Sequence, residues 1–454
     1  VNGKGEIMTF ETKGKENNGA TYGRRSDWQD LYSIAKKYYE ALLADPGNAQ
    51  FHLTDPRGAS DKSGRTFNNP YQYFFEQMHM DDAIYADESI YEYPMQQGGG
   101  NDGRPYSFGR PSSGGSKAAY PCKSYGQGRI NPAYFYGVFD PNDMRRDVSI
   151  TMTGSNGKGV EKLIPFVPNS KAEGGGLTLN KWDENRQANP WVAAQRKSGI
   201  NGPYMRMSEV YLGYAEVCAA LGDVVTGKQY LKTVRERSFP QGLADTDGFI
   251  ASFGNDLVRA IIEERGFEYA GEGDRRWTLI RSGYLPEDIK RIKDMTKAMM
   301  DGLATKGYYE FENGNIISAY IWTKLVDAKT IYGHRLTAQC PMDKVNDPVL
   351  YPGWRGQKDN WEEMGLNYGN SAPATNLAIK GLFEIVSEEE AASLESQGYA
   401  KVNWGIDLVD YRDEYDKYLF WDYDYVSAPI YLWPFTPNVM AAGGFTNGYG
   451  FKQE

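Results

Sequence analysis

The sequence predicts a mainly α protein in which helices frame long irregular loops and a few short strands. Three observations predict it. From Tyr204 to Arg281 apolar residues recur at three- and four-residue steps, the spacing that gathers side chains on one face of a helix. The run from Ser26 repeats that pattern and stops at Asp45-Pro46-Gly47. Between such segments lie tracts without any period, chiefly Gln96 to Asn131 and residues 305–425, in which polar, glycine and aromatic residues mix. Loops that long in a compact domain are usually functional or disordered.

Taken in order, residues 1–26 are polar, rich in Gly, Asn and Lys, and read as loop. Ser26 is the expected N-cap of a helix whose face carries Trp28, Leu31, Ile34, Ala35, Tyr38 and Leu42. A second helix runs from Pro70 toward Met80, since proline suits a first turn. Asp87 to Tyr93 alternates like a short strand. Asp140, Asn142 and Asp143 lack the glycine and closing glutamate of a calcium loop and predict a capped helix start. In 204–221 the stripe is Met207, Val210, Tyr214, Cys218 and Leu221, with Gly222 as the stop. The stripe of Leu257, Val258, Ile261 and Ile262 marks another helix, and a further one is expected at 287–303.

Composition narrows the function. The 454 residues carry a net charge of -10, which argues against nucleic acid as a main partner because phosphate binding needs a basic surface. Aromatic residues make up 14% of the chain, with 34 Tyr and 10 Trp. A mean hydropathy of -0.63 places many of these rings near water, where flat rings are used for binding. Cys122, Cys218 and Cys340 cannot form a disulfide framework, and Cys218 falls on the helical stripe as a core residue. No apolar run is long enough to span a bilayer. His52, His79 and His334 are far apart and outside any HExxH, and no GxSxG elbow occurs. Gly222 to Lys228 matches the opening of a phosphate loop, but Gln229 stands where a magnesium-holding Ser or Thr belongs. No catalytic residue, metal or cofactor is assigned.

Glu263, Glu264, Glu268 and Glu272 crowd the turns beside Leu257, Val258, Ile261 and Ile262. Acid/base chemistry needs carboxylates that converge, yet Arg206, Arg265, Arg275, Arg276 and Arg281 outnumber these. A carboxylate with a raised pKa sits among apolar neighbours rather than guanidinium groups. The cluster therefore reads as a clamp between helices. Ligand contact is assigned instead to Asn101, Arg104, Tyr106, Tyr120 and Tyr125, which combine ring faces with hydrogen-bonding groups in a loop too aromatic to be disordered. Trp354 and Trp361 form a second candidate surface.

The run Arg206-Met-Ser-Glu209-Val-Tyr-Leu-Gly-Tyr-Ala215-Glu216, followed by Glu263-Glu-Arg265-Gly-Phe-Glu268-Tyr-Ala270-Gly-Glu272-Gly-Asp-Arg275 and Leu279-Ile-Arg281, resembles the RagB/SusD family of Bacteroidetes surface lipoproteins. Asn142-Asp143-Met-Arg145, Leu179-Asn-Lys181-Trp182 and the closing Leu432-Trp433-Pro434 and Asn447-Gly448-Tyr449 resemble further family segments, with Phe435-Thr436 in place of Ile-Pro and no proline after Asn447. Trp182 is expected to be structural. The resemblance implies a tetratricopeptide-like helical-repeat scaffold in a single domain. Its parts would be helical 1–89, a loop-rich ligand-binding insertion 90–200, helical 201–304 and loop-rich 305–454. It further implies capture of oligosaccharide, or alternatively peptide, for a SusC-like TonB-dependent transporter at the extracellular face of the outer membrane. A lipid anchor would lie upstream of Val1. A glycosidase using Glu263 and Glu268 is the remaining, least favoured reading.

Overall fold

The computed structural model describes residues 10–15, 21–55, 69–78, 86–99, 103–112, 123–156, 160–168, 174–184, 195–327, 375–419 and 435–444. It opens on an antiparallel hairpin, β1 (Phe10–Lys15) and β2 (Thr21–Arg25), with a bulge between Thr12 and Gly14. The expected loop is thus partly strand: ladder pairing is made by backbone groups, which a polar sequence without alternation also carries. Helix α1 (Trp28–Ala44) starts after Asp27, not Ser26. Asp27 makes no side-chain cap because its carboxylate is held by the Arg25 guanidinium at 2.8 and 2.7 Å.

The face of α1 also differs from the expected one. Tyr32, Ala35, Tyr39, Leu42 and Leu43 pack inward, whereas Leu31, Ile34 and Tyr38 are exposed. Both stripes have helical spacing, so periodicity alone cannot choose between them; the partner surface of Met207, Val210 and Cys218 does. Helix α2 (Pro70–Gln77) buries Tyr71, Phe74 and Phe75 against Val148. Strand β3 (Ser89–Tyr93) follows, and a short helix, α3 (Gly103–Phe108), interrupts the aperiodic tract.

After a π-helical turn at Tyr134–Val138, α4 (Arg145–Ser149) is introduced by the expected turn. Asp140 accepts from the Asn142 amide at 2.8 Å and Asp143 from the Arg145 amide at 3.0 Å. Two short pairs come next: β4 (Ile150–Thr151) with β7 (Thr178–Leu179), and β5 (Thr153–Ser155) with β6 (Glu161–Leu163). Strand β8 (Gly202–Arg206) pairs with β3, so the helix expected from Tyr204 begins only at Met207.

The helical body is α5 (Met207–Ala220), α6 (Val224–Arg237), α7 (Thr246–Ser252), α8 (Leu257–Glu268), α9 (Asp274–Ser282) and α10 (Leu285–Lys306). Gly222 ends the first of these at φ +91°, a conformation glycine adopts without a Cβ penalty. Asp223 then caps α6 through the Thr226 amide at 3.2 Å, so the segment resembling a phosphate loop is an ordinary helix start. Helix α5 packs on α1, α6 and α8, which is why it is buried on both sides of its stripe: Leu212 and Ala215 meet Leu231, Val234 and Ile261. Each such fully buried aliphatic side chain contributes about 1.5–3 kcal/mol.

A second core joins the π-helical turn and α10 to strands β9 (Tyr308–Glu310), β10 (Ile316–Ser318), β11 (Tyr320–Asp327), β12 (Thr375–Lys380) and β13 (Ala400–Asn403). The last three form one antiparallel sheet with β11 in the middle. Trp404 is buried there and donates its indole N–H to the Tyr136 hydroxyl at 2.8 Å. Among the described residues, no helix is long and apolar enough to cross a membrane.

Candidate functional site

The carboxylates of α8 are fully committed to cations. Glu268 accepts from Arg206 at 2.5 Å, from Arg145 at 3.0 Å and from Arg237. Glu264 accepts from Arg145 and Arg235, both at 2.7 Å. Glu263 is held by Arg275 at 2.7 Å and Arg291 at 2.8 Å, and Glu272 by Lys181 at 2.7 Å and Arg206 at 3.0 Å. Burial opposes the charge on Glu268, but Arg237, Arg206 and Arg145 outweigh it and hold the carboxyl well below the usual range. Burial pushes Lys181 down to about 8 despite Glu272.

This is the clamp expected from sequence, with different membership. Arg206 and Arg275 serve it, whereas Arg265 bonds Glu209 and Asp274, both at 2.6 Å, and Arg281 bonds Glu216 at 2.7 Å. Arg145, Arg235, Arg237, Arg291 and Lys181 complete it from elsewhere in the chain. None of these carboxylates has the apolar surroundings of a general acid. Among the described residues, no group of three or more His, Cys, Asp or Glu could hold a metal ion.

Strands β3 and β8 connect this interior to the surface. Their register sets Ser89 opposite Arg206, Tyr91 opposite Met205, Glu92 opposite Pro203 and Tyr93 opposite Gly202. Inward, Arg206 enters the charge cluster, bonding Glu88 at 3.0 Å as well as Glu268. Glu92 is also buried, accepting from the Asn201 side chain at 2.8 Å and the Ala86 amide at 3.0 Å. Alternation turns Tyr91 and Tyr93 outward on either side of buried Glu92, whereas Tyr204, two residues from Arg206, is exposed beside the register shifts that flank Tyr91. Tyr91, Tyr93 and Tyr204 are 54%, 52% and 68% exposed. Their ring centroids lie 5.5 Å apart for Tyr91 and Tyr204, 5.8 Å for Tyr93 and Tyr204, and 6.3 Å for Tyr91 and Tyr93, with the planes inclined by 59–86°. Rings meeting edge to face make a faceted surface rather than a flat strip.

The predicted binding loop borders that surface through α3. Arg104, half-buried, reaches across Gly202, where a Cβ would overlap its Nη1, and lies 5.7 Å from the Trp182 ring centroid. Gly202 therefore lets a guanidinium rest on the strand that pairs with Tyr93. Tyr106 is buried at 7% exposure and meets the half-buried Tyr125 at 5.1 Å, edge to face; the Tyr125 amide donates to the Tyr106 carbonyl at 2.8 Å. The Arg196 guanidinium covers the Tyr106 ring at 4.5 Å, and the Lys123 ammonium covers Tyr125 at 5.1 Å. Burial and then the hydroxyl contact with Tyr125 raise the Tyr106 phenol pKa, against the opposing Arg196.

Of the residues predicted from sequence, Arg104, Tyr106 and Tyr125 come together here. Asn101, Tyr120, Trp354 and Trp361 lie outside the described residues. Trp182 is 2% exposed and packs with Leu179 and Ile200, in line with a structural role. The residues missed were Tyr91, Tyr93 and Tyr204. The alternation of Asp87 to Tyr93 sets Tyr91 and Tyr93 on one face of the strand, and no comparable pattern marked Tyr204.

A sequence model of the SusD family matches residues 51–435. The chain is 28% identical over 160 residues to the SusD-like protein P25 of Formosa agariphila, a match covering 35% of this chain and 26% of that protein. It thus spans about a quarter of the length of that curated relative. Among solved structures, a SusD homologue from Bacteroides thetaiotaomicron aligns at 19% identity and a TM-score of 0.39, covering 63% of this chain and 57% of that one. Surface glycan-binding protein A from Bacteroides thetaiotaomicron, solved in complex with laminarihexaose, aligns at 19% identity and a TM-score of 0.40, covering 57% and 52%.

Proposed function

This chain belongs to the SusD family, and from that premise we propose that it binds oligosaccharides on the faceted surface of Tyr91, Tyr93 and Tyr204, with Arg104 at its border. The observation that carries the proposal is the exposure of three mutually contacting rings on a strand pair whose other face is locked into the protein. Tyrosine rings stack on the apolar faces of sugar units while their hydroxyls, and a neighbouring guanidinium, hydrogen-bond the sugar hydroxyls. Each contact is modest, so a chain of sugars that engages several rings binds better than a single sugar. The glycan would then pass to a SusC-like TonB-dependent transporter, with the protein tethered by a lipid anchor at the outer face of the outer membrane. Binding suffices for that role, and no bond need be made or broken.

Calorimetry with a panel of oligosaccharides tests the proposal. At least one should bind, and Tyr91→Ala and Tyr204→Ala should each weaken it about tenfold, the equivalent of about 1.4 kcal/mol. Affinity unchanged in both variants would remove these rings from the site. A peptide panel that binds where no saccharide does would replace the ligand class, and release of new reducing ends would make the protein an enzyme.

A further inference from the structure

Building on the oligosaccharide-binding reading, we propose that the part of the surface around α3 receives an anionic saccharide, one bearing carboxylate or sulfate ester groups. The carrying observation is a set of cations without countercharges. Lys123, Arg196 and Lys197 surround the Tyr106–Tyr125 pair and the 96–99 segment, and none of the three has a carboxylate partner among the described residues. Lys197 donates only to the backbone carbonyls of Gly98 and Gly99, at 3.4 and 3.2 Å. Described carboxylates of these segments are withdrawn from the surface: Glu92 is buried and accepts from Asn201, and Asp183 and Glu184 are buried, Asp183 facing Arg110 at 3.7 Å. In a chain of net charge -10, three cations without a carboxylate partner among the described residues are the exception.

The geometry of Arg196 fits anion capture. Its guanidinium rests 4.5 Å from the Tyr106 ring centroid, and a guanidinium offers a planar set of N–H donors that matches a carboxylate or sulfate. The residue is exposed, and its backbone sits at φ +63°, a left-handed conformation costly for a residue with a Cβ. Lys123, resting on Tyr125, adds a compact charge with three donors. The rings of Tyr91, Tyr93 and Tyr204 would stack on the sugars while these cations select the acidic substituents. Partly exposed charges acting in this way give a salt-sensitive affinity.

The test compares a neutral β-glucan oligosaccharide, a polyuronate oligosaccharide and a sulfated galactan oligosaccharide by calorimetry between about 50 and 300 mM salt. An anionic ligand should bind about tenfold more tightly than the neutral one at low salt, and the advantage should shrink as salt rises. The uronate and sulfate arms identify which acid group is recognised. The double variant Arg196→Gln with Lys123→Gln should reduce anionic binding about tenfold and leave neutral binding and the melting temperature unchanged, while Arg196→Lys should retain most of the salt dependence. Equal or tighter binding of the neutral glycan, or no effect of the double variant, overturns the anionic assignment and leaves the glycan reading intact. Failure of every saccharide overturns both.

Discussion

The interior beneath β8 and the surface above it use similar chemistry to opposite ends. Beneath, Glu268 meets three guanidinium groups and Glu88 two, so that each buried charge is matched. Above, the rings of Tyr91, Tyr93 and Tyr204 are exposed, while exposed Arg196 and half-buried Lys123 rest on the Tyr106 and Tyr125 rings with no carboxylate partner among the described residues. The carboxylates of the helix are numerous enough for a site, but pairing disqualifies them, as the neighbouring arginines in the sequence suggest: a group whose charge is already satisfied has little to offer a ligand. Arg206 joins the two regions, since it ends the strand that carries Tyr204 and also bonds Glu268 and Glu88. Arg206 thereby ties the strand that carries Tyr204 to the scaffold.

That contrast can be broken at graded levels. The largest effect is expected from Glu268→Gln, which leaves Arg145, Arg206 and Arg237 short of one buried countercharge; breaking such an arrangement costs about 3–5 kcal/mol. Denaturant unfolding measures it, and a loss below about 1 kcal/mol, the range of surface pairs, would mean that the cluster is not structural. A smaller, graded effect should come from acid. Glu268 titrates lower in the folded than in the unfolded chain, whose ordinary value is 4.5, so its contribution is complete above that value and declines as pH falls toward the folded value. Thermal melts should show stability dropping below about pH 4.5, and Glu268→Gln should flatten the drop. The smallest effect on stability belongs to Tyr91→Ala and Tyr204→Ala, which should stay within about 0.5 kcal/mol of the parent because the rings are exposed. A larger loss would show these rings to be packing residues and sharpen the boundary between scaffold and site.

Much of this was legible beforehand. The stripe of Met207, Val210, Tyr214 and Cys218, the stop at Gly222 and the structural character of the glutamates all follow from spacing and from local charge balance. Trp182 and Cys218 are buried as expected. Illegible were Arg145, Arg235 and Arg237 as clamp partners, because the fold and not sequence proximity brings them to α8. The face of α1 was misjudged because two stripes of equal spacing compete and only packing on α5 decides between them. Tyr106 is an inner ring covered by Arg196, although its letter and its loop looked the same as those of an exposed one.

By itself the sequence determined the helices, their stops, the matched charges and the family, because each is written in spacing over a few turns or in motif identity. Only the tertiary structure decided where a ligand can be met. Tyr91 and Tyr93 stand on one strand and Tyr204 on another, and more than a hundred residues separate them. They share a surface because β3 and β8 pair: burial of Glu92 turns Tyr91 and Tyr93 outward, and the register shifts flanking Tyr91 accompany the exposure of Tyr204 although it stands two residues from buried Arg206.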